Sequence, residues 1–125
     1  MRAIIVVALF AVSTTCAAQG PDILAIYDQF VTSRAATAKC VSPPPESLGR
    51  FLTNFKMVSG YAAQEVKNRR PKMTVKQVQA LMKGRTAAIT SSVNSLVAEK
   101  GCSNPDIQQL VRRFEVQAQP IPGKR

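Results

Sequence analysis

Apolar residues recur at intervals of three and four along most of the chain, which is the spacing of amphipathic α-helices. After the first twenty residues, no stretch alternates apolar and polar positions for long enough to indicate a β-strand. The helical spacing occurs four times, with proline- or glycine-containing segments between the repeats. The sequence therefore predicts an all-α protein, a small four-helix up-down bundle.

Start and stop signals give approximate limits for the first two helices. The first is predicted over about 21–39, with a proline in its first turn. The second opens at Ser42 or Pro45. It stops near Arg70, because Pro71 disfavours helical geometry in the residue before it. We expect these two helices to be antiparallel.

The third helix has the clearest start signal. Thr74 precedes Gln77 by three residues, which is the spacing of a capping box. Gly101 is expected to end the helix. Gly84 and the polar run 90–92 weaken its middle, so a continuous helix and a kinked or broken one both remain open.

The fourth helix is predicted to begin at Asn104, an N-cap residue followed by a proline suited to the first turn. Tyr61 lies off the main apolar stripe of the second helix and is a candidate exposed contact residue. The apolar stripes of the four helices form the expected core. Its positions are Ile23, Ile26, Tyr27, Phe30, Val31, Ala35, Ala38, Leu48, Phe51, Leu52, Phe55, Val58, Ala62, Val66, Val78, Leu81, Met82, Ala88, Ile89, Val93, Leu96, Val97, Ile107, Leu110, Val111 and Phe114.

The first eighteen residues have the features of a cleaved signal peptide. Arg2 supplies a positive charge, 3–12 is an apolar run, and small residues precede a predicted cleavage site after Ala18. An apolar run of this length spans about 15 Å as a helix, half of a bilayer core, so we expect no retained transmembrane segment. Lipidation at Cys16 is the alternative to cleavage. The sequence thus predicts an exported protein, either periplasmic or secreted.

Cleavage there would leave a helical domain over 19–118 and a flexible C-terminal tail over 119–125. Beyond residue 18 the sequence holds 16 basic and 7 acidic residues, a net charge of 16 − 7 = +9. It also holds two cysteines, Cys40 and Cys102, and an even number in an exported chain predicts a disulfide. Each cysteine follows a helix that runs to the same end of an up-down bundle, so the pairing agrees with the helix order.

The chain lacks the residues on which most enzymatic sites depend. It has no histidine, so Ser–His and Cys–His pairs and the commonest metal ligand are absent from the sequence. Its seven acids are scattered singly, and no glycine-rich phosphate loop occurs. We therefore expect no catalysis, no metal and no cofactor, although carboxylates far apart in sequence can meet in a hydrolase.

The most distinctive polar segment is the turn predicted between the second and third helices. Its basic residues are expected at the end of the bundle opposite the disulfide. They form either a solvated turn that keeps a basic protein soluble or a binding surface for an anionic partner. No aromatic residue interleaves them, so specific nucleic-acid recognition is not expected. The candidate anion- or partner-binding residues are Lys67, Arg69, Arg70, Lys72 and Lys76.

The sequence most favours an exported, non-enzymatic binding or accessory protein that contacts an envelope protein or an anionic membrane or lipopolysaccharide surface. In size, predicted export, helical pattern and long-range disulfide it resembles small bacterial periplasmic helical proteins such as acid-stress chaperones and effector-immunity proteins. That resemblance is one of architecture and implies two alternatives, a stress chaperone or an inhibitor of the immunity type. Acid triggering is disfavoured by the absence of histidine. A hydrolase with dispersed carboxylates is the remaining alternative.

Overall fold

The computed structural model describes residues 22–120, which form four α-helices joined by short connections. This part of the chain contains no strand, so the all-helical prediction is confirmed. The predicted signal peptide, and residues 121–125 of the predicted tail, lie outside the described residues. The helices are α1 (Ile23–Cys40), α2 (Pro45–Arg69), α3 (Val75–Lys100) and α4 (Pro105–Gln117).

Side-chain caps define three of the four helix starts. Asp22 is the N-cap of α1 and its carboxylate accepts a hydrogen bond from the backbone N–H of Leu24 at 3.0 Å. The helix therefore starts two residues later than predicted, because Asp22 caps the first turn instead of lying within it. Thr74 and Gln77 form the predicted capping box of α3, and Asn104 caps α4.

The middle of α3 is helical throughout. Gly84 and residues 90–92 lie inside one uninterrupted helix of 26 residues. Gly101 follows with a φ of 82°, in the left-handed region that glycine adopts without steric cost, and its N–H bonds to the carbonyl of Val97 at 2.8 Å. The open question about the third helix is thus settled in favour of continuity.

The disulfide fixes the direction in which the helices run. Cys40 at the end of α1 is bonded to Cys102 just after α3, with a Cα–Cα distance of 5.5 Å, which confirms the predicted pairing. At the other end, Arg69 near the end of α2 lies 3.4 Å from Asp22 at the start of α1. Helices α1 and α3 therefore run in the same direction and α2 runs against them. We call these two regions the disulfide end and the basic end.

Helix α1 is the centre of the bundle. It packs against each of the other three helices, whereas α3 and α4 barely touch. Eight of its 18 residues are buried, compared with three of 25 in α2 and three of 26 in α3. This is why Ser33 and Thr37, two polar residues outside the expected stripe, lie inside the protein.

The core is built differently toward the two ends. Toward the basic end, residues of three helices pack together, and toward the disulfide end α4 joins them. The first cluster contains Leu24, Tyr27, Val31, Ala62, Val66, Val78 and Met82. The second contains Phe30, Phe51, Phe114 and Ala118, and a third, smaller one contains Ala35, Ala36 and Val93.

The prediction of burial was wrong for some of the expected core residues. Leu52 and Leu81 are 38% and 41% exposed, and Ala38 and Ala88 are also on the surface. Leu81 lies in the first third of α3, where three helices pack and α4, half as long, contributes no core residue. Helical periodicity identifies a face but does not say whether another helix covers it.

The end of α4 is held by side chains from α2. Asn54 donates hydrogen bonds to the carbonyls of Gln117 and Gln119, each at 2.8 Å. Arg50 donates to the carbonyl of Ala118 at 3.0 Å. These bonds satisfy carbonyls that the end of a helix leaves without intrahelical partners, so the first residue of the predicted tail is bound to α2.

Candidate functional site

The turn between α2 and α3 brings all five candidate basic residues to the basic end. Residues 70–74 connect the two helices, and the N–H of Met73 donates to the carbonyl of Arg70 at 3.0 Å. The five side chains are not equivalent, because some are used to hold the turn itself.

Lys67 is one of the residues that hold the turn. Its half-buried side chain donates to the carbonyl of Pro71 at 2.9 Å and to the carbonyl of Met73. A cation near the end of a helix also interacts favourably with the negative end of the helix dipole. The ammonium group of Lys67 therefore stabilises the turn, because two of its hydrogen-bond donors are used by backbone carbonyls.

Arg69 joins α2 to the start of α1. Its guanidinium lies 2.8 Å from Glu65 and 3.4 Å from Asp22. The spacing of Glu65 and Arg69, four residues apart on one helix, was a signal for this pair already present in the sequence. Because the side chain is about half exposed, water screens both pairs and they contribute little stability. Their consequence is that two acids at this end are already neutralised.

The remaining three cations have no such partner. Arg70, Lys72 and Lys76 are exposed, and none makes an ion pair or side-chain hydrogen bond to another residue of 22–120. They lie on the turn and the first turn of α3, whose N-terminus adds a positive partial charge. The basic end thus presents a concentrated positive surface, which we call the cationic patch (Arg70, Lys72 and Lys76).

An exposed apolar residue lies within the segment that carries the cationic patch. Val75, the first residue of α3, lies directly before Lys76 and is 69% exposed. Sequence reasoning missed it because no periodic stripe includes it. Tyr61 on α2 is 63% exposed, in agreement with its predicted place off the core stripe.

The other ion pairs of the described chain lie outside this end. Arg85 of α3 forms a bidentate ion pair with Asp28 of α1. Its Nε and Nη2 lie 2.6 and 2.7 Å from the two carboxylate oxygens, and the pair links the two parallel helices. The hydrogen bonds that Arg85 donates to Asp28 raise the pKa of Arg85, and this outweighs the lowering of its pKa by partial burial. Because the folded-state pKa lies above the ordinary one, the resulting stabilisation is fully present below the ordinary arginine pKa and is lost as pH rises from there through the raised pKa. Lys100 lies 3.5 Å from Asp106 near the disulfide.

No group of three or more His, Cys, Asp or Glu side chains that could hold a metal ion occurs in residues 22–120. An open cleft of about 880 Å³ runs along α3, and its lining includes Thr86, Thr90 and Asn94. A second of about 610 Å³ lies on α2 beside Pro120, which follows the capped end of α4. The first lining also contains Lys83 and the second contains Glu46 and Thr53, but the Thr53 hydroxyl donates to the carbonyl of Gly49, and neither Lys83 nor Glu46 makes a side-chain hydrogen bond or ion pair within 22–120.

Comparison of the chain with protein-family models, with curated proteins and with solved structures finds no match in any of the three. None of the four helices is both long enough and apolar enough to cross a membrane. The chemistry of the site therefore has to be argued from the residues themselves.

Proposed function

We propose that this protein is an exported, non-catalytic binding protein that engages an anionic partner through its basic end. The observation that carries this proposal is the cationic patch, in which Arg70, Lys72 and Lys76 lie close in sequence with no acid paired to them in 22–120. Positive charges grouped without compensation create a local potential that attracts anions and accelerates their association.

A binding role is also favoured by how the acids are used. Asp22, Asp28, Glu65 and Asp106 all take part in ion pairs, which leaves few carboxylates available as a general base. The sequence has no histidine to replace them. General acid–base catalysis needs such a group in hydrogen-bond reach of its substrate, so we assign no catalytic step.

The test is retention on a sulfated-polysaccharide column, a simple polyanion. In the basic-end variant, Arg70, Lys72 and Lys76 are all changed to Ala. We expect it to elute at clearly lower salt than the wild type, because polyanion binding depends on the number of charges that meet the matrix together.

The matched control is a variant with the same loss of three charges taken from three different helices. Lys39, Lys56 and Arg112 are exposed and have no ion-pair partner in 22–120, so their change to Ala removes charge without breaking an ion pair. We expect this control variant to elute near the wild type. Equal shifts for the two variants would mean that net charge alone sets retention, and the proposal would fail.

A further inference from the structure

The start of the helical bundle lies beside the cationic patch. Asp22, the N-cap of α1, is 3.4 Å from Arg69, the residue immediately before the turn that carries the patch. The chain preceding Asp22 therefore joins the folded domain at the basic end. That preceding chain contains the apolar run 3–12 and the predicted processing sites.

The connection between these sites and the domain is short. Cys16 precedes Asp22 by six residues, and six residues span at most about 20 Å when fully extended. An acyl group at Cys16 would hold the basic end within that distance of a membrane. Cleavage after Ala18 would instead place a new amino terminus, another positive charge, near the same end.

The composition of the basic end suits a lipid surface. Surfaces that lie on membranes combine cations, which contact anionic headgroups, with apolar side chains that enter the headgroup–acyl boundary. Arg70, Lys72 and Lys76 supply the cations. Val75, which lies between Lys72 and Lys76 in the sequence and is 69% exposed, supplies the apolar side chain.

We propose that the anionic partner of the cationic patch is a phospholipid bilayer, with the basic end facing the membrane and the disulfide end pointing away. This inference rests on the proposed function and names its partner. Each cation near an anionic bilayer adds a similar attraction, so the patch strengthens any attachment supplied by the N-terminal segment. A single acyl chain anchors weakly alone, and a basic cluster is a typical second signal.

The first experiment measures sedimentation with vesicles of phosphatidylglycerol and phosphatidylcholine. The protein is produced with its own N-terminal segment, recovered after processing, and its N-terminus is identified by mass spectrometry. With anionic vesicles, we expect the basic-end variant to partition about 100-fold less than the wild type. The control variant should stay much nearer the wild type. With purely neutral vesicles, the wild type and the two variants should partition to the same extent.

The second experiment measures which end of the bound protein faces the bilayer. Its result does not depend on how strongly the N-terminal segment anchors the protein. The chain contains no tryptophan, so Val75→Trp and Val116→Trp each introduce a single fluorescent probe. The two sites are matched in exposure, at 69% and 70%. With anionic vesicles, Trp emission from position 75 should shift to shorter wavelength and be quenched by brominated lipid. Emission from position 116, at the end of α4, should do neither.

The outcomes separate this inference from the proposed function. Quenching at position 75 together with the loss of partitioning in the basic-end variant supports the bilayer as partner. Equal quenching at the two positions, or none at 75, overturns it. If polyanion retention still depends on the cationic patch in that case, the proposed function stands and the partner is an acidic protein or polymer. If retention is independent of the patch, both fail.

Discussion

Four helices meet at the disulfide end, whereas three form the basic end, and the two regions are stabilised by different interactions. The disulfide end has the Cys40–Cys102 bond and an aromatic cluster in which Phe51 and Phe114 stack with ring centroids 4.3 Å apart. The basic end has a larger, mainly aliphatic cluster around Tyr27, whose ring stacks on Phe55 at 5.4 Å, together with a capping box and the half-exposed ion pairs of Arg69. This difference indicates that a covalent bond and stacked phenylalanines hold one end, while the uncompensated charge that we assign to binding lies at the other.

The largest expected effect is the loss of an aromatic ring from the disulfide end. Phe114→Ala should lower the free energy of unfolding by about 3–5 kcal/mol, because the side chain is 1% exposed and its removal leaves a cavity. The measurement is urea unfolding followed by circular dichroism. Met82→Ala, at the basic end, is the comparison. Because Met82 is 8% exposed, its loss should fall in the lower part of the about 2–5 kcal/mol that is typical of Met→Ala. A larger loss for Met82→Ala would show that packing at the basic end contributes more to stability than the aromatic cluster does.

Removal of the disulfide should have the next largest effect. Changing Cys40 and Cys102 together to Ala frees a loop closed over 62 residues of sequence separation. The chain-entropy model gives about 4 kcal/mol as the upper limit of the resulting destabilisation. Thermal unfolding of the double variant against the oxidised wild type measures it. An unchanged midpoint would show that helix packing alone holds this end.

A smaller effect is expected from Arg69, because its ion pairs are half exposed to water. Arg69→Ala should cost at most about 1 kcal/mol in low salt, and the cost should shrink in 1 M salt as screening weakens both pairs. Arg112→Ala, an exposed arginine of α4, is the control and should leave the unfolding midpoint unchanged. A loss of several kcal/mol that is insensitive to salt would show that Arg69 acts through packing and not through its charge.

The gross architecture followed from local signals in the sequence. Apolar periodicity predicted four helices, the Thr74–Gln77 spacing predicted a capping box, and the helix order predicted which end Cys40 and Cys102 would share. These signals are reliable because each depends on residues a few positions apart or on the direction of successive helices. The same order placed the basic turn at the opposite end.

The features that could not be predicted depend on contacts between distant segments. Helix α1 is surrounded by three others, so Leu24, Ser33 and Thr37 are buried although they lie outside its expected stripe. A periodic stripe assumes one covered face, and nothing in the sequence says how many helices surround a given one. The support of the end of α4 by Asn54 of α2 likewise depends on which helices meet in space.

The candidate site was predicted as a group but not residue by residue. Charge and position in the turn singled out five cations. In the structure, however, Lys67 donates hydrogen bonds to carbonyls of the turn, and Arg69 forms ion pairs with nearby acids. Their roles depend on which carbonyls and carboxylates the folded turn brings close. Val75 carries no charge or periodic signal, and its exposure became apparent from the structure.

The central claim is that the three cations of the cationic patch contact the same anionic partner at the same time. The salt dependence of polyphosphate binding tests this claim most directly. Fluorescence anisotropy titrations at several salt concentrations give the slope of the logarithm of the affinity against the logarithm of salt. Removing three anion contacts should flatten this slope by roughly 2–3 in the basic-end variant. The control variant should keep the wild-type slope, and all three proteins should unfold within about 0.5 kcal/mol of one another, as expected for surface substitutions. Equal slopes in the basic-end and control variants would contradict the account.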